Sequence, residues 1–222
     1  AEKERQTGKK ARGKKPKPPK QGPLTKDQVN LTDEESRIMP VSGGGFEQAY
    51  NAQAGVDTES KLIVTTHLTQ KPNDKQELKP SLENLAVLPE ELGRVTELIA
   101  DSGYFSEDNV TACEKEEITP YIAVDREQHN QSLWDRFREP PSMPEHADAV
   151  EKMKHRLKTT AGKAVYKLRK VTSEPVFGII KEVMGCRRFL MRGLEAAQDE
   201  WKLVCMAWNI KRLHTLKLAS ST

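Results

Sequence analysis

The segment from Ala164 to Lys181 constrains the fold of this chain most, because one side of it is apolar and the other is charged. At about 100° per residue, its apolar side chains fall on one face of a helix. These residues are Val165, Leu168, Thr172, Val176, Ile179, Ile180 and, just beyond the segment, Val183. The opposite face presents Glu174 among Lys167, Lys170 and Lys181. The pattern therefore predicts a helix that packs on a core and turns one carboxylate among lysines outward.

Pro175 limits this helix, because proline lacks a backbone N–H and clashes with the carbonyl group four residues earlier. We therefore expect the helix either to restart, with Ser173 as its N-cap and Pro175 in its first turn, or to kink there. On the residues alone, Glu174 has two interpretations. It is either an ordinary solvated residue that pairs with lysines along the helix or a functional carboxylate.

The same segment resembles the late signature of insertion-sequence DDE transposases, which reads Y-(2)-R-(3)-E-(6)-K. Glu174 and Lys181 fit the second half of the signature. The first half departs from it, since Tyr166 and Arg169 each lie one residue early. The later strings RRFLMRGLE and EWKLVCMAWNIKRL are similar to the same branch of that family, and the resemblance covers about residues 28–218.

The resemblance implies an α/β fold of the RNase H-like type, in which helices flank a mixed sheet. We assign residues 28–218 to this DDE transposase domain, with an insertion at about 125–160. Residues 1–27 are rich in Lys, Gly and Pro, so we expect a disordered basic tail or linker there. A tail of this composition either holds DNA phosphates without sequence preference or is simply solvated.

The order of the predicted elements agrees with such a domain. Two β-rich runs around a polar turn at residues 57–60 predict a hairpin. Asp74 and Glu77 have capping-box spacing ahead of one helix, and Ser106 is placed to cap the next. The strands expected to join in one mixed sheet are Phe46–Val56, Lys61–Thr69, Leu98–Asp101 and Thr119–Val124.

Asp101 closes a short buried run, and α/β sheets bind their ligands at the carboxyl ends of such strands. An Asp in this place can also simply cap a turn. By the resemblance, Asp101 is the second catalytic acid and Glu174 the third. They are two of the three acids that would together hold two Mg²⁺ ions, for which Mn²⁺ can substitute, and the carboxylates of Asp101 and Glu174 should converge to within about 4–8 Å.

The first acid of the family lies in a DGT-like motif on a strand ahead of the hairpin. Residues 29–42 read as a loop, and no such motif precedes the hairpin here. We therefore expect the first catalytic acid and the N-terminal DNA-binding region to be absent from this chain. Asp57 is a weaker candidate because it falls in the hairpin turn, and Asp33 is weaker still because it falls in the loop.

Charge is unevenly distributed along the chain. Residues 1–20 hold nine Lys and Arg against two acids, and residues 161–217 hold twelve against five, whereas residues 21–160 hold fifteen against twenty-six. Basic ends around an acidic middle suit a protein that binds phosphates and gathers carboxylates, although ordinary scatter of surface charge is the alternative. The residues expected to contact DNA, the last two by the resemblance, are Lys170, Lys181, Arg169 and Tyr166.

Trp134 and Phe137 lie in the polar, proline-containing insertion. Two roles are open for them. They either pack a small satellite core or stack on an unpaired base near a cleaved DNA end.

Several classes of protein are disfavoured by composition. The three cysteines are far apart and show no zinc or disulfide spacing, and no apolar run approaches the roughly 18 residues of a membrane span. We expect a cytoplasmic protein whose partner is DNA, both transposon ends and target, with no membrane partner. The sequence leaves the oligomeric state open, with a homodimer as one option.

The resemblance thus predicts DNA transposition, in which a DDE transposase cleaves and transfers DNA strands with the help of metal ions. This chain would be an incomplete, inactive part of that enzyme. The alternative is a non-catalytic, DNA-binding remnant of a transposase, and a different nuclease on the same fold is a weaker third hypothesis.

Overall fold

The computed structural model describes residues 28–41, 44–124, 139–143 and 146–220. The strands are β1 (Arg37–Pro40), β2 (Phe46–Ala49), β3 (Asn51–Val56), β4 (Ile63–Thr69), β5 (Glu97–Ala100) and β6 (Thr119–Ile122). The α-helices are α1 (Leu78–Ala86), α2 (Glu107–Lys115), α3 (Ala149–Lys158), α4 (Thr160–Lys167), α5 (Ser173–Glu182) and α6 (Leu194–Ala219). Short 3₁₀ turns cover Asp74–Gln76, Glu90–Leu92, Ser102–Tyr104 and Leu168–Val171.

The described strands form three two-stranded sheets. Strands β1 and β2 pair antiparallel, β3 and β4 form the antiparallel hairpin, and β5 and β6 run parallel. The hairpin, its polar turn and both strands of the later pair were predicted from the sequence and are confirmed. The single mixed sheet was not found among these residues, so the finding supports a mixed α/β fold of helices and small sheets.

Two local features of the hairpin region differ from the predicted arrangement. The run predicted as one strand over residues 46–56 divides at Tyr50, because residues 46–49 pair with β1 instead of continuing the hairpin. The prediction of a loop over residues 29–42 was therefore wrong at Arg37–Pro40, which form β1 and bury Met39. In addition, the carbonyl of Gln53 in β3 accepts a hydrogen bond from Trp201 Nε1 at 2.9 Å. A side chain, rather than another strand, thus satisfies this acceptor.

Helix α6 lies along the hairpin and supplies several such side-chain donors. Trp208 Nε1 donates to the carbonyl of Lys61 at 2.9 Å, and Arg212 Nε donates to that of Ser60 at 2.6 Å. The Asn209 amide exchanges two hydrogen bonds of 2.8 Å with the backbone of Ile63. Because these bonds satisfy strand and turn groups that would otherwise be unpaired, they fix the long helix to the hairpin.

The helix predicted over residues 164–181 is broken, as Pro175 requires. Helix α4 ends at Lys167, a 3₁₀ turn follows, and α5 begins at Ser173 with Pro175 in its first turn. The restart is confirmed, but the N-cap residue is Thr172, with φ −117° and ψ −83°, and its side chain makes no capping hydrogen bond. Pro175 costs no hydrogen bond in this position, since the first N–H groups of a helix have no intrahelical partner.

One predicted cap is confirmed and one is wrong. The Ser106 hydroxyl accepts from the N–H of Asn109 at 3.1 Å and caps α2. Asp74, in contrast, is not the N-cap of α1, which begins at Leu78. Its carboxylate binds side chains of the hairpin instead, and Glu77 is buried.

Two hydrophobic clusters form the core of the described chain. The first lies between the hairpin, α5 and α6, and its buried members are Ile63, Leu68, Val176, Ile180, Ala197, Trp201, Cys205 and Trp208. The second lies between the β5–β6 pair and helices α1, α2 and α3, and its members include Leu82, Val110, Ile122 and Met153. Trp201 and Trp208 are thus core residues, whereas Trp134 and Phe137 lie outside the described residues. Among the described helices, none is long and apolar enough to cross a bilayer.

Candidate functional site

Asp101 directly follows β5, at the carboxyl end of a parallel strand, where the sequence pattern predicted it. Its carboxylate Oδ1 accepts a hydrogen bond from the N–H of Gly103 at 2.8 Å and caps the short 3₁₀ turn. The turn-capping role considered from sequence is therefore real. It also fixes the orientation of a half-buried carboxylate at the end of the strand.

A second carboxylate, that of Asp74, lies next to Asp101. A Cβ atom on Gly103 would be 2.9 Å from Asp101 Oδ1 and 3.1 Å from Asp74 Oδ2, so both acids border the space beside this glycine. Asp74 Oδ1 accepts from the side-chain amides of Asn51 and Gln53, each at 2.8 Å. No local sequence pattern indicates that Asp74 belongs to this group, because its partners lie more than twenty residues away on β3.

Tyr104 completes this polar group. Its hydroxyl donates to Gln53 Oε1, which ties the turn after β5 to the hairpin. Burial, followed by the negative charges of Asp74 and Asp101, raises the pKa of Tyr104 well above its ordinary value. Tyr104 therefore stays protonated and acts as a donor at neutral pH.

Glu174 lies in the first turn of α5 and is 55% exposed. Its Oε1 atom is 3.2 Å from Nη2 of Arg169, and the guanidinium of Arg169 lies 6.0 Å from the ring centroid of Tyr166. Arg169 thus contacts both Glu174 and Tyr166, although Tyr166 and Arg169 each lie one position early for the signature that the segment resembles. The 3₁₀ turn and the break at Thr172 account for this, since the geometry of an unbroken helix does not hold across them.

Lys61 fixes the beginning of the Glu174 helix against the hairpin turn. Its Nζ donates to the hydroxyl of the buried Thr172 at 3.2 Å and also to the carbonyl of Thr58. Lys61 itself has φ +61°, a left-handed conformation that is uncommon outside glycine. The turn that carries Asp57 therefore also positions the residue from which α5 starts.

Lys170 and Lys181 are exposed, as predicted for the charged face. Neither forms an ion pair with a carboxylate in the described part of the chain. Both are therefore open to a phosphate in solution.

The two weaker acid candidates have other hydrogen-bonding partners. Asp57 Oδ2 accepts from the N–H and hydroxyl of Ser60, both at 2.6 Å, and from the N–H of Glu59. Burial alone would raise the pKa of Asp57, but these hydrogen bonds outweigh it and hold the pKa below its ordinary value. Both carboxylate oxygens of Asp33 accept from the hydroxyl of Tyr50 at 2.9 Å. These contacts support structural roles for both acids.

The carboxylate oxygens of Asp101 are chemically suited to bind a hard cation, because Mg²⁺ prefers such ligands. Within the described ranges, however, no group of three or more His, Cys, Asp or Glu side chains is placed to hold a metal ion. The hydrogen bonds and ion pairs above connect Asp101 with Gly103, and Glu174 with Arg169. The convergence of Asp101 with Glu174 thus stays a prediction.

The family model described as the transposase DDE domain matches residues 14–210. The match covers far more than half of the chain, and the chain therefore belongs to this family. Neither the curated proteins nor the solved structures contain a significant match to it.

Proposed function

We propose that this chain takes part in DNA transposition and that Asp101 and Glu174 are catalytic carboxylates of a DDE transposase. The observation that carries the proposal is the place of Asp101 at the carboxyl end of β5 in a chain whose family match spans residues 14–210. The E-(6)-K spacing of Glu174 and Lys181 supports it.

In this proposal Asp101 and Glu174 would hold Mg²⁺, which when bound activates the attacking oxygen and stabilises the leaving one. The chain's own residues orient the DNA. Lys170 and Lys181 contact phosphates, which positions a duplex without reading its sequence. Arg169 forms an ion pair with Glu174 while DNA and metal ions are not bound.

The alternative function, a DNA-binding remnant without catalysis, is favoured by one observation. The described residues contain no cluster of three metal-binding side chains, whereas in-line displacement by two metal ions needs carboxylates around both of them. The two functions differ in whether Asp101 and Glu174 bind metal at all.

Mn²⁺ binding, measured by electron paramagnetic resonance, separates them, and nicking of DNA in Mg²⁺ or Mn²⁺ tests the expected inactivity of the chain. We expect the chain to bind DNA without sequence preference and not to cut it. Its Mn²⁺ binding should be weakened at least tenfold by Asp101→Asn or Glu174→Gln, as expected on loss of a metal ligand. Glu107→Gln is the matched control, since Glu107 is also an exposed acid in the first turn of a helix.

Mn²⁺ binding that neither substitution changes would contradict the catalytic assignment and support the remnant. Cleavage by the unaltered chain would contradict the expected inactivity. If Asp57→Ala then abolished this cleavage, Asp57 would be the first catalytic acid despite its place in the turn.

A further inference from the structure

The loop between α5 and α6, residues 183–193, has the sequence VMGCRRFLMRG and carries three arginines and no acid. We call it the arginine loop. Two of its residues are glycines with positive φ, Gly185 at +74° near its beginning and Gly193 at +84° at its end. Gly193 precedes the first residue of α6, whose N–H donates to Glu35 Oε2 at 2.8 Å. A carboxylate from the start of the described chain therefore holds the C-terminal end of the loop.

The middle of the arginine loop is held by two further contacts. The carboxylate of Glu200, on α6, accepts from the N–H groups of Leu190 and Met191 at 2.8–3.0 Å. The ring of Phe189 packs edge-to-face on Trp201, with centroids 6.4 Å apart, and contacts Tyr50 in the same way at 6.3 Å. The backbone of the loop is therefore anchored to the hairpin core.

The side chains next to this anchor point the other way, into solvent. Leu190 is 78% exposed and Met191 is 51% exposed. Arg188 and Arg192 are also exposed, and no carboxylate of the described residues pairs with them. Arg187 differs, since it forms an ion pair with Glu182.

This combination of groups determines the kind of partner. Two uncompensated arginines on either side of an exposed leucine complement a surface that offers negative charges around an apolar strip. A DNA minor groove does so, because phosphates line its two edges and deoxyribose carbons line its walls, and proteins that bind there combine Arg with apolar wedges such as Leu or Met. A rigid loop also loses little conformational entropy on binding.

We propose that the arginine loop is a DNA-binding element, in which Arg188 and Arg192 contact phosphates and Leu190 enters the minor groove. This inference rests on the proposed function, since it takes DNA as the partner. It adds a contact surface that neither Glu174 nor its neighbouring lysines supply.

The test is the binding of a random-sequence DNA duplex to the full chain, measured by fluorescence anisotropy over a series of salt concentrations. Each lost phosphate contact reduces the slope of log affinity against log salt by about 0.9. The double variant Arg188→Ala/Arg192→Ala should therefore reduce the slope by roughly 2. Leu190→Ala should weaken binding by about fivefold with the slope unchanged, because an apolar contact releases no counterions.

The matched controls come from the exposed turn at residues 90–94. Leu92 is 71% exposed, and the side chain of Arg94 is 82% exposed. Leu92→Ala removes the same apolar group from another surface, and Arg94→Ala removes an exposed arginine that, unlike Arg188 and Arg192, lies 3.7 Å from a carboxylate, that of Glu117. Both variants should leave the affinity and the slope nearly unchanged. Melting temperatures equal to that of the unaltered chain will show that the four variants fold.

The outcomes distinguish this inference from the proposed function. If loop variants bind the duplex as the controls do, the loop proposal is overturned, while DNA binding and the assignment of Asp101 and Glu174 stand. If the unaltered chain fails to bind the duplex, the loop proposal falls together with the DNA partner. If Leu190→Ala alters only self-association in size-exclusion chromatography, the loop is a protein interface and the proposal is wrong.

Discussion

At the scale of single residues, the clearest free-energy cost in this protein is the burial of the Glu77 carboxylate. Glu77 is only 2% exposed, and its two carboxylate oxygens face the side-chain nitrogens of two different residues. Oε2 lies 3.0 Å from Nε2 of His67, and Oε1 lies 3.3 Å from Nζ of Lys71. A buried carboxylate is tolerated only when such partners compensate for the lost hydration.

We therefore expect His67→Ala to lower the free energy of unfolding by about 1–3 kcal/mol, because it leaves a buried carboxylate oxygen without its hydrogen-bond partner at 3.0 Å. Urea denaturation followed by circular dichroism measures the change. Lys202→Ala is the control, since its ion pair with Asp199 at 3.0 Å is on the surface and should be worth less than about 1 kcal/mol. Equal effects from the two variants would show that the Glu77 charge is not compensated by His67.

At the scale of helices, two glycines that look alike in sequence have opposite surroundings. A Cβ on Gly162, in α4, would lie 1.9 Å from the carbonyl oxygen of Arg156, at the close junction between α3 and α4. A Cβ on Gly178, in the middle of α5, would meet no atom within 4 Å. Only the first glycine is required by packing.

Gly162→Ala should therefore destabilise the fold by about 2 kcal/mol or more, since backbone must move to admit the methyl group. Gly178→Ala should stabilise it by about 1 kcal/mol, because alanine restricts the unfolded chain and favours the helix. Thermal unfolding of the two variants, side by side, measures both changes. A stabilising Gly162→Ala would show that the α3–α4 junction is not closely packed.

The elements also show how far sequence reasoning reaches. The polar turn at residues 57–60, the Ser106 cap and the restart at Pro175 were predictable, because each depends on residues within one turn of the chain. The contact of Asp74 with Asn51 and Gln53 was not, since it joins residues 21–23 positions apart. Asp74 has the spacing of a capping box, but its carboxylate binds Asn51 and Gln53 instead of capping the helix.

At the candidate site the same limit applies. The positions of Asp101 after a strand and of Glu174 in the first turn of a helix followed from periodicity and family resemblance. The contact of Arg169 with Glu174 did not, because the 3₁₀ turn at Leu168–Val171 and the break at Thr172 interrupt the regular helix between them. The division of the strands into three pairs depended on partners that local pattern does not reveal.

At the scale of the whole molecule, the uneven distribution of charge leads us to predict how lysine substitutions change DNA affinity and its salt dependence. Replacing Lys170 or Lys181 with alanine should weaken binding to all duplexes about equally and reduce the salt slope by about 1 each. We expect these changes because both lysines are exposed and neither forms an ion pair among the described residues. Anisotropy titrations on two unrelated duplexes measure it, and a loss confined to one of them would show base recognition instead.

The attachment of α6 to the hairpin has a consequence for synthesis on the ribosome. Trp201, Trp208 and Asn209 bind backbone groups 146–148 positions earlier in the chain. At roughly 5–20 residues per second, the ribosome needs about 7–30 s to make the intervening stretch. The hairpin thus emerges long before the side chains that satisfy its backbone, and during that interval its unpaired groups are exposed to pairing with other chains.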